Sequence, residues 1–165
     1  MPLVYIDSSV YIDYLAKNKQ EHPITGEPRW RSAAALFAAV DREQVRLAAS
    51  SLVEAEILTK PVFRLKGASV QEQVRQRFRA ATVVWSDVDR FLAKDAEILA
   101  AEYYGKVQKQ SGMGAADALH LAAAVRLKCD YLLTQDSGFP IGDTVQRVKI
   151  RYTEVVWQEA LDDVS

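Results

Sequence analysis

Two short, unbroken apolar runs, "PLVYI" at residues 2–6 and "YLLT" at 131–134, are each followed within two residues by an aspartate, Asp7 and Asp136. Runs this short and continuous lack the apolar/polar alternation of surface hairpins. They read as buried parallel strands covered by helices on both sides. In sheets of that kind ligands gather beyond the carboxyl ends of the strands, and both aspartates stand at that edge. The rest of the chain switches period repeatedly between strand-like and helix-like patterning, as an alternating α/β domain does.

The strand ending at Asp7 leads into the helical pattern "VYIDYLAKN", for which Ser8 or Ser9 offers an N-cap. Residues 18–30 are polar, carry two prolines and a glycine, and read as a loop before the helical run "RSAAALFAAVDRE". "VRLAAS" (45–50) reads as a second strand, with a helix from about Leu52 that Pro61 must kink, end or restart. A basic amphipathic helix over 69–81 and a strand at 82–85 follow. "SDVDRFLAKDAEILAAEYY" reads as a helix capped by Ser86 or Asp87. After the break "QSGMG" come the helix "AADALHLAAAVRLK", the "YLLT" strand and a last short strand near "RVKI". With 165 residues, about half of them hydrophobic, and no repeat or linker, one domain over 1–165 is expected. Its fold class is a three-layer α/β/α sandwich with a central, mostly parallel sheet.

The formal charge of -1 means that an anionic partner must be met by local basic clusters rather than by an overall positive field. Cys129 has no partner within the chain, which suits a reducing compartment. The start "MPLVYIDSSVYIDYL" lacks the basic head and cleavage site of a signal peptide, and no run reaches the ~18 apolar residues of a membrane span. A soluble cytoplasmic protein is expected, with no membrane partner.

Asp117 opens the helix that leads into "YLLT", so its end of that helix can face the same sheet edge. "SSLVEAEILTKP" adds Glu54 and Glu56, which lie two residues apart and therefore cannot share a helix face. At most one of them points into a site. Carboxylates converging on one edge repel and raise one another's pKa unless a cation neutralises them. Oxygen ligands without a Cys/His set favour Mg²⁺ or Mn²⁺ over zinc, and such ions suit phosphodiester hydrolysis.

Four segments in order, "VYIDSSVYI", "SSLVEAEILTKP", "ADALHLAAA" and "LLTQDSGF", resemble the motifs of the PIN-domain nucleases. The departures are Ser8-Ser9 where Thr-Asn is commoner, and a longer polar insertion at 18–30. The resemblance implies the site set Asp7, Glu56, Asp117 and Asp136, with Glu56 rather than Glu54 chosen by its place before "ILTKP". It implies three aspartate ligands to Mg²⁺ or Mn²⁺, with Glu56 a ligand or a holder of bound water. It further implies a metal-dependent endoribonuclease acting on RNA, resembling VapC-like toxins, with a small antitoxin protein or a second copy of the chain as partner. Ser8 and Thr134 are placed to orient carboxylates, or simply to cap a helix and end a strand.

Other residues carry weaker signals. His120, one helical turn after Asp117, reads as packed or hydrogen-bonded behind the site rather than as a ligand, and His22 as solvated in its polar loop. Asp13, Asp87, Asp89, Asp95 and Glu97 fall on helix starts and polar faces. Lys60, Arg64, Lys66, Arg75, Arg77 and Arg79 form the densest basic region, either a phosphate-backbone contact or an exposed helix face. Trp30, Trp85 and Trp157 are too scattered to form an evident stacking platform. Val10, Tyr11, Tyr14 and Leu15 have the spacing to hold a partner helix, or to pack in the core.

Two other function classes share parts of this pattern. A catalytically silent RNA-binding or protein-interaction module would keep the fold and lose the acids, all four of which are present. A phosphoacceptor receiver domain needs an acidic pair after its first strand, an acceptor aspartate after its third and a lysine after its fifth, a set that "TVVWSDVDRF" and "RVKIRYTE" do not supply.

Overall fold

Tyr5 pairs with Ala48 on one side and with Leu132 on the other, and all three side chains are fully buried. That register lies at the centre of a computed structural model describing residues 1–153, so Trp157 lies outside the described residues. The elements are β1 (Leu3–Ile6), α1 (Ser8–Ala16), α2 (Arg29–Asp41), β2 (Arg46–Ser50), α3 (Ser51–Thr59), α4 (Pro61–Arg64) and α5 (Ala68–Arg79). They continue with β3 (Val84–Ser86), α6 (Arg90–Glu102), α7 (Ala115–Arg126), β4 (Tyr131–Leu133), β5 (Thr144–Val145) and β6 (Val148–Arg151). Helices flank the sheet to give the α/β/α arrangement expected from the sequence.

The strand order is β3-β2-β1-β4-β6-β5, and every pairing is parallel except β5 with β6. From β1 the chain winds outward through β2 and β3, then returns to place β4 on the other side of β1. The winding therefore changes direction between β1 and β4, which opens a crevice beyond their carboxyl ends. Asp7 follows β1, and Asp136 follows β4.

The core is built from these strands and the helix faces against them. Tyr5, Ile6, Leu36, Phe37, Ile57, Phe63, Leu121 and Leu132 are at most 1% exposed. Burial of each such side chain contributes about 1.5–3 kcal/mol relative to leaving it in water. Tyr11 packs between Phe37 and Phe78, with centroids 5.2 and 5.0 Å away, while Tyr14 lies 4.8 Å from Phe37. Val10 and Tyr11 thus belong to the core, whereas Tyr14 and Leu15 are only partly buried against it, so packing claims half of the stripe considered as a partner surface. Cys129 is also buried, and its burial pushes the thiol up to about 12.

Several boundaries differ from the sequence reading. Asp7 itself occupies the N-cap position of α1, and neither Ser8 nor Ser9 caps it. Ser86 is the last paired residue of β3, so α6 starts later: Asp89 caps it, accepting from the Leu92 amide at 2.8 Å. Pro61 opens α4 at its first position, where the missing N–H costs nothing. The 18–30 segment folds back onto the body. His22 is 1% exposed rather than solvated, its Nδ1 accepting from the amides of Ile24 (3.1 Å) and Thr25 (3.3 Å). Asp13 is likewise buried, accepting from Asn18 at 2.8 Å, rather than lying on a polar face. No helix among the described residues is long and apolar enough to cross a membrane.

Candidate functional site

The crevice at the switch of the sheet has a volume of about 700 Å³ and is lined by Asp7, Glu56, Asp117 and Asp136 together with Ser8, Ser9, Lys60 and Lys109. Four separate elements deliver the four acids. Asp7 ends β1, Glu56 lies in the second turn of α3, Asp117 in the first turn of α7, and Asp136 in the loop after β4. Glu54, two residues from Glu56 on α3, does not line the crevice.

Hydroxyls and backbone amides hold the two strand-end acids. Asp7 Oδ2 accepts from Ser9 Oγ at 2.8 Å and from Thr134 Oγ1 at 2.9 Å, and Ser8 Oγ donates to Oδ1 at 3.3 Å. Thr134 Oγ1 in turn accepts from the Asp136 amide at 2.9 Å, so one hydroxyl fixes the position of both loops. Asp136 Oδ1 accepts from the Gly138 amide at 2.8 Å. A Cβ at Gly138 would meet Asp117 Oδ2 and crowd Asp136 Oδ1, so a larger residue here would push the Asp117 carboxylate out of its present place.

The electrostatics are those of crowded like charges. Burial raises Asp117 to about 6, with the charges of Asp136 and Asp7 adding to the effect against the ordinary 3.8. Glu56 moves the other way. Burial would raise it, but the hydrogen bond from His120, that ring's charge when protonated, and Lys60 bring it below the usual carboxylate range. His120 Nε2 lies 2.9 Å from Glu56 Oε2 and 3.6 Å from Asp7 Oδ1, and its Nδ1 lies 2.9 Å from Tyr5 Oη. The ring is 1% exposed, in keeping with a histidine packed behind the site.

The basic region expected from the sequence divides in space. Lys60 lines the crevice, whereas Lys66 Nζ donates to the Leu15 carbonyl and Arg75 pairs with Glu72 at 3.6 Å. Arg77 lies over the Phe37 ring at 4.7 Å and lines a different cleft. Lys109 lines the crevice from the irregular segment before α7, a placement no sequence pattern announced. Trp30 lies on α2 and Trp85 on β3, with the Trp85 indole donating to Asp87. Asp89 is paired with both Arg126 nitrogens at 2.9 and 3.0 Å, and that pairing holds it down at about 2.

Fold and crevice together define an α/β protein whose carboxylates converge where the winding of its sheet reverses. The chain belongs to the PIN domain family, whose pattern its residues 4–143 match. Among solved structures it is similar to the VapC20 toxin of Mycobacterium tuberculosis, described as cleaving the Sarcin-Ricin loop, at 15% identity. The match covers 81% of this chain and 92% of that one, with a TM-score of 0.56. It is also similar to VapBC2 of Rickettsia felis, solved bound to a DNA fragment from its promoter. That match has 15% identity, 91% and 98% coverage and a TM-score of 0.56. A toxin-antitoxin complex from Klebsiella pneumoniae matches at 21% identity, with 88% and 94% coverage and a TM-score of 0.54. At these identities the likeness is one of fold. No curated protein matches the sequence directly.

Proposed function

We propose that this chain is a single-domain, metal-dependent endoribonuclease that hydrolyses RNA phosphodiester bonds, acting in the cytoplasm as the toxin of a toxin-antitoxin pair. The observation that carries the reading is the convergence of Asp7, Glu56, Asp117 and Asp136 from four elements on one crevice flanked by Lys60 and Lys109. The donor set is all oxygen, and burial with like-charge crowding holds Asp117 at about 6, so the residues fit a hard divalent cation such as Mg²⁺ or Mn²⁺. Asp7, Asp117 and Asp136 would hold it, with Glu56 at its edge. Such an ion supplies a more acidic bound water and neutralises charge developing on a phosphoryl group.

The chain's own residues do the rest. Ser9 and Thr134 keep Asp7 aimed at the crevice, and the Gly138 amide does the same for Asp136. Lys60 and Lys109 both line the crevice and would supply positive charge to phosphates of the bound strand, which gives affinity without base preference. VapC20 and the toxin-antitoxin complexes of the same fold support a small antitoxin as partner and leave room for a homodimer. A single-stranded RNA assay tests the activity. Cleavage should require Mg²⁺ or Mn²⁺ and fall at least about 100-fold in Asp117→Asn, beyond the usual loss from removing a group that merely supports a ligand. RNA binding without cleavage would favour the silent module. Expression without an antitoxin should slow bacterial growth and Asp7→Ala should relieve it; normal growth with active enzyme would place the nuclease outside the toxin class.

A further inference from the structure

Behind Glu56 a buried line of hydrogen bonds runs from β2 through β1 and α7 to α3. Ser50 Oγ lies 2.7 Å from Tyr5 Oη, Tyr5 Oη lies 2.9 Å from His120 Nδ1, and His120 Nε2 lies 2.9 Å from Glu56 Oε2. Ser50, Tyr5 and His120 are at most 1% exposed, whereas the Glu56 side chain is 25% exposed. The line thus begins in the core and ends on the one α3 carboxylate that reaches the crevice. We propose that Ser50, Tyr5 and His120 are positioning residues that clamp Glu56 by one carboxylate oxygen and leave the other to face the bound cation or its water. This inference rests on the reading of the crevice as a cation site.

The polarity of the line follows from its acceptor end. A carboxylate only accepts, so His120 Nε2 carries a hydrogen and donates to Glu56. With the ring neutral, Nδ1 has a lone pair, which the Tyr5 hydroxyl fills by donating while its oxygen accepts from Ser50; with the ring protonated, Nδ1 donates to Tyr5 and the Tyr5 hydroxyl donates to Ser50. In either state the Nε2 hydrogen is directed at Glu56. Ser50 stands at the N-cap position of α3 yet makes no side-chain cap bond there, consistent with a hydroxyl turned to Tyr5.

Two features separate this line from ordinary core polarity. A tyrosine on the central strand and a histidine on the helix packed against it are both buried and must both find partners, where Phe and Leu would need none. Moreover, Glu56 has a longer, looser side chain than the three aspartates, so it gains most from an orienting donor. A direct ligand role for His120 is the competing arrangement, since Asp7, Glu56 and His120 offer atoms within 4.8 Å of one another. Binding a cation through Nε2 would require that nitrogen to give up its bond to Glu56, while Nδ1 faces Tyr5.

Mn²⁺ serves as the probe, with affinity read by electron paramagnetic resonance and cleavage read on single-stranded RNA. His120→Leu should weaken Mn²⁺ binding about 10- to 100-fold, the range for removing a group that orients a ligand. The same substitution added to Glu56→Gln should change affinity less than about two-fold, because its effect passes through Glu56. Tyr5→Phe, which preserves shape, should weaken binding in the same direction by a smaller factor, and His120→Gln should recover part of the loss. Pulsed spectra of the wild type should show no directly coordinated nitrogen. Full additivity in the double variant, wild-type affinity in Tyr5→Phe, or a nitrogen ligand on Mn²⁺ would overturn the clamp while leaving the nuclease reading intact. Wild type that neither binds Mn²⁺ nor cleaves RNA would overturn both.

Discussion

Two clefts of nearly equal size open at opposite ends of the same sheet. One, about 730 Å³, lies at the amino ends of the strands and is lined by Met1, Val40, Val45, Leu47 and Val83 with Asp41, Glu43, Arg46 and Arg77. The other, about 700 Å³, lies at the carboxyl ends and gathers four carboxylates and two lysines. Size does not distinguish them. What differs is how each holds its charge: at the amino end two acids sit among two arginines, whereas at the carboxyl end hydroxyls, an amide and a histidine hold acids toward one another. A protein gains nothing in stability from crowding carboxylates, so the carboxyl-end arrangement points to a ligand that the fold is built to meet.

That contrast can be broken most forcefully by comparing Asp117→Asn with Glu43→Gln. The first should cost at least about 100-fold in RNA cleavage, whereas the second, at the amino-end cleft, should leave cleavage within about two-fold. Equal losses would mean that the amino-end cleft takes part.

Within the carboxyl-end crevice, Glu56→Gln should reduce cleavage about 10- to 100-fold at sub-saturating metal, with Glu54→Gln within a few-fold of wild type. The two glutamates are sequence neighbours on α3, but only Glu56 lines the crevice and meets His120. The reverse ranking, with both proteins folded by circular dichroism, would remove Glu56 from the site and leave the three aspartates standing.

A smaller effect concerns the lysines. Removing Lys60 or Lys109 as Gln should lower the slope of log affinity against log salt by about 0.7 each, the value for one phosphate contact on a single strand. Arg77→Gln, at the other cleft, should leave the slope unchanged. Filter binding to a single-stranded RNA in EDTA would read this without cleavage.

The least of these effects is on stability. Asp117 sits at about 6 in the folded chain against an ordinary 3.8, so the folded state holds this proton more tightly than the unfolded state. In metal-free protein its contribution therefore falls as pH rises from about 4 to about 6, and the penalty stays at higher pH. Asp117→Asn removes that dependence. Urea midpoints of wild type should drop relative to the variant across this window; parallel curves would mean that Asp117 titrates normally.

How much of this was legible in the sequence depends on what kind of information each residue carries. Asp7 and Asp136 could be placed from local pattern, because a buried parallel strand writes itself as a short continuous apolar run and the acid marks its carboxyl end. Asp117 could be placed at the same edge because it opens the helix leading into "YLLT", but within a helix local pattern cannot choose between Glu54 and Glu56, and the family motif supplied that choice. Lys109 comes from an irregular segment and was illegible. So were the burial of His22 and Asp13, since a polar loop announces nothing about folding back on the body. Ser86 or Asp87 was the expected cap of α6, but Ser86 is held in the sheet by pairing with Ser50 and Asp89 caps the helix instead. The last strand was expected near "RVKI", where β6 lies, but its antiparallel partner β5 was missed because the turn between them uses Gln146 at φ 54° where Gly, Asn or Asp would have signalled it.

The central claim is that the carboxyl-end crevice is a preformed divalent-cation site, and melting curves with added Mn²⁺ test it most directly. At a hundred times the dissociation constant, binding to the folded state alone is worth about 2.7 kcal/mol, or roughly 5–10 °C for a chain of this size. Wild type should gain that much and Asp117→Asn much less. A wild-type melting temperature unmoved by millimolar Mn²⁺, or an equal gain in Asp117→Asn, would contradict the claim.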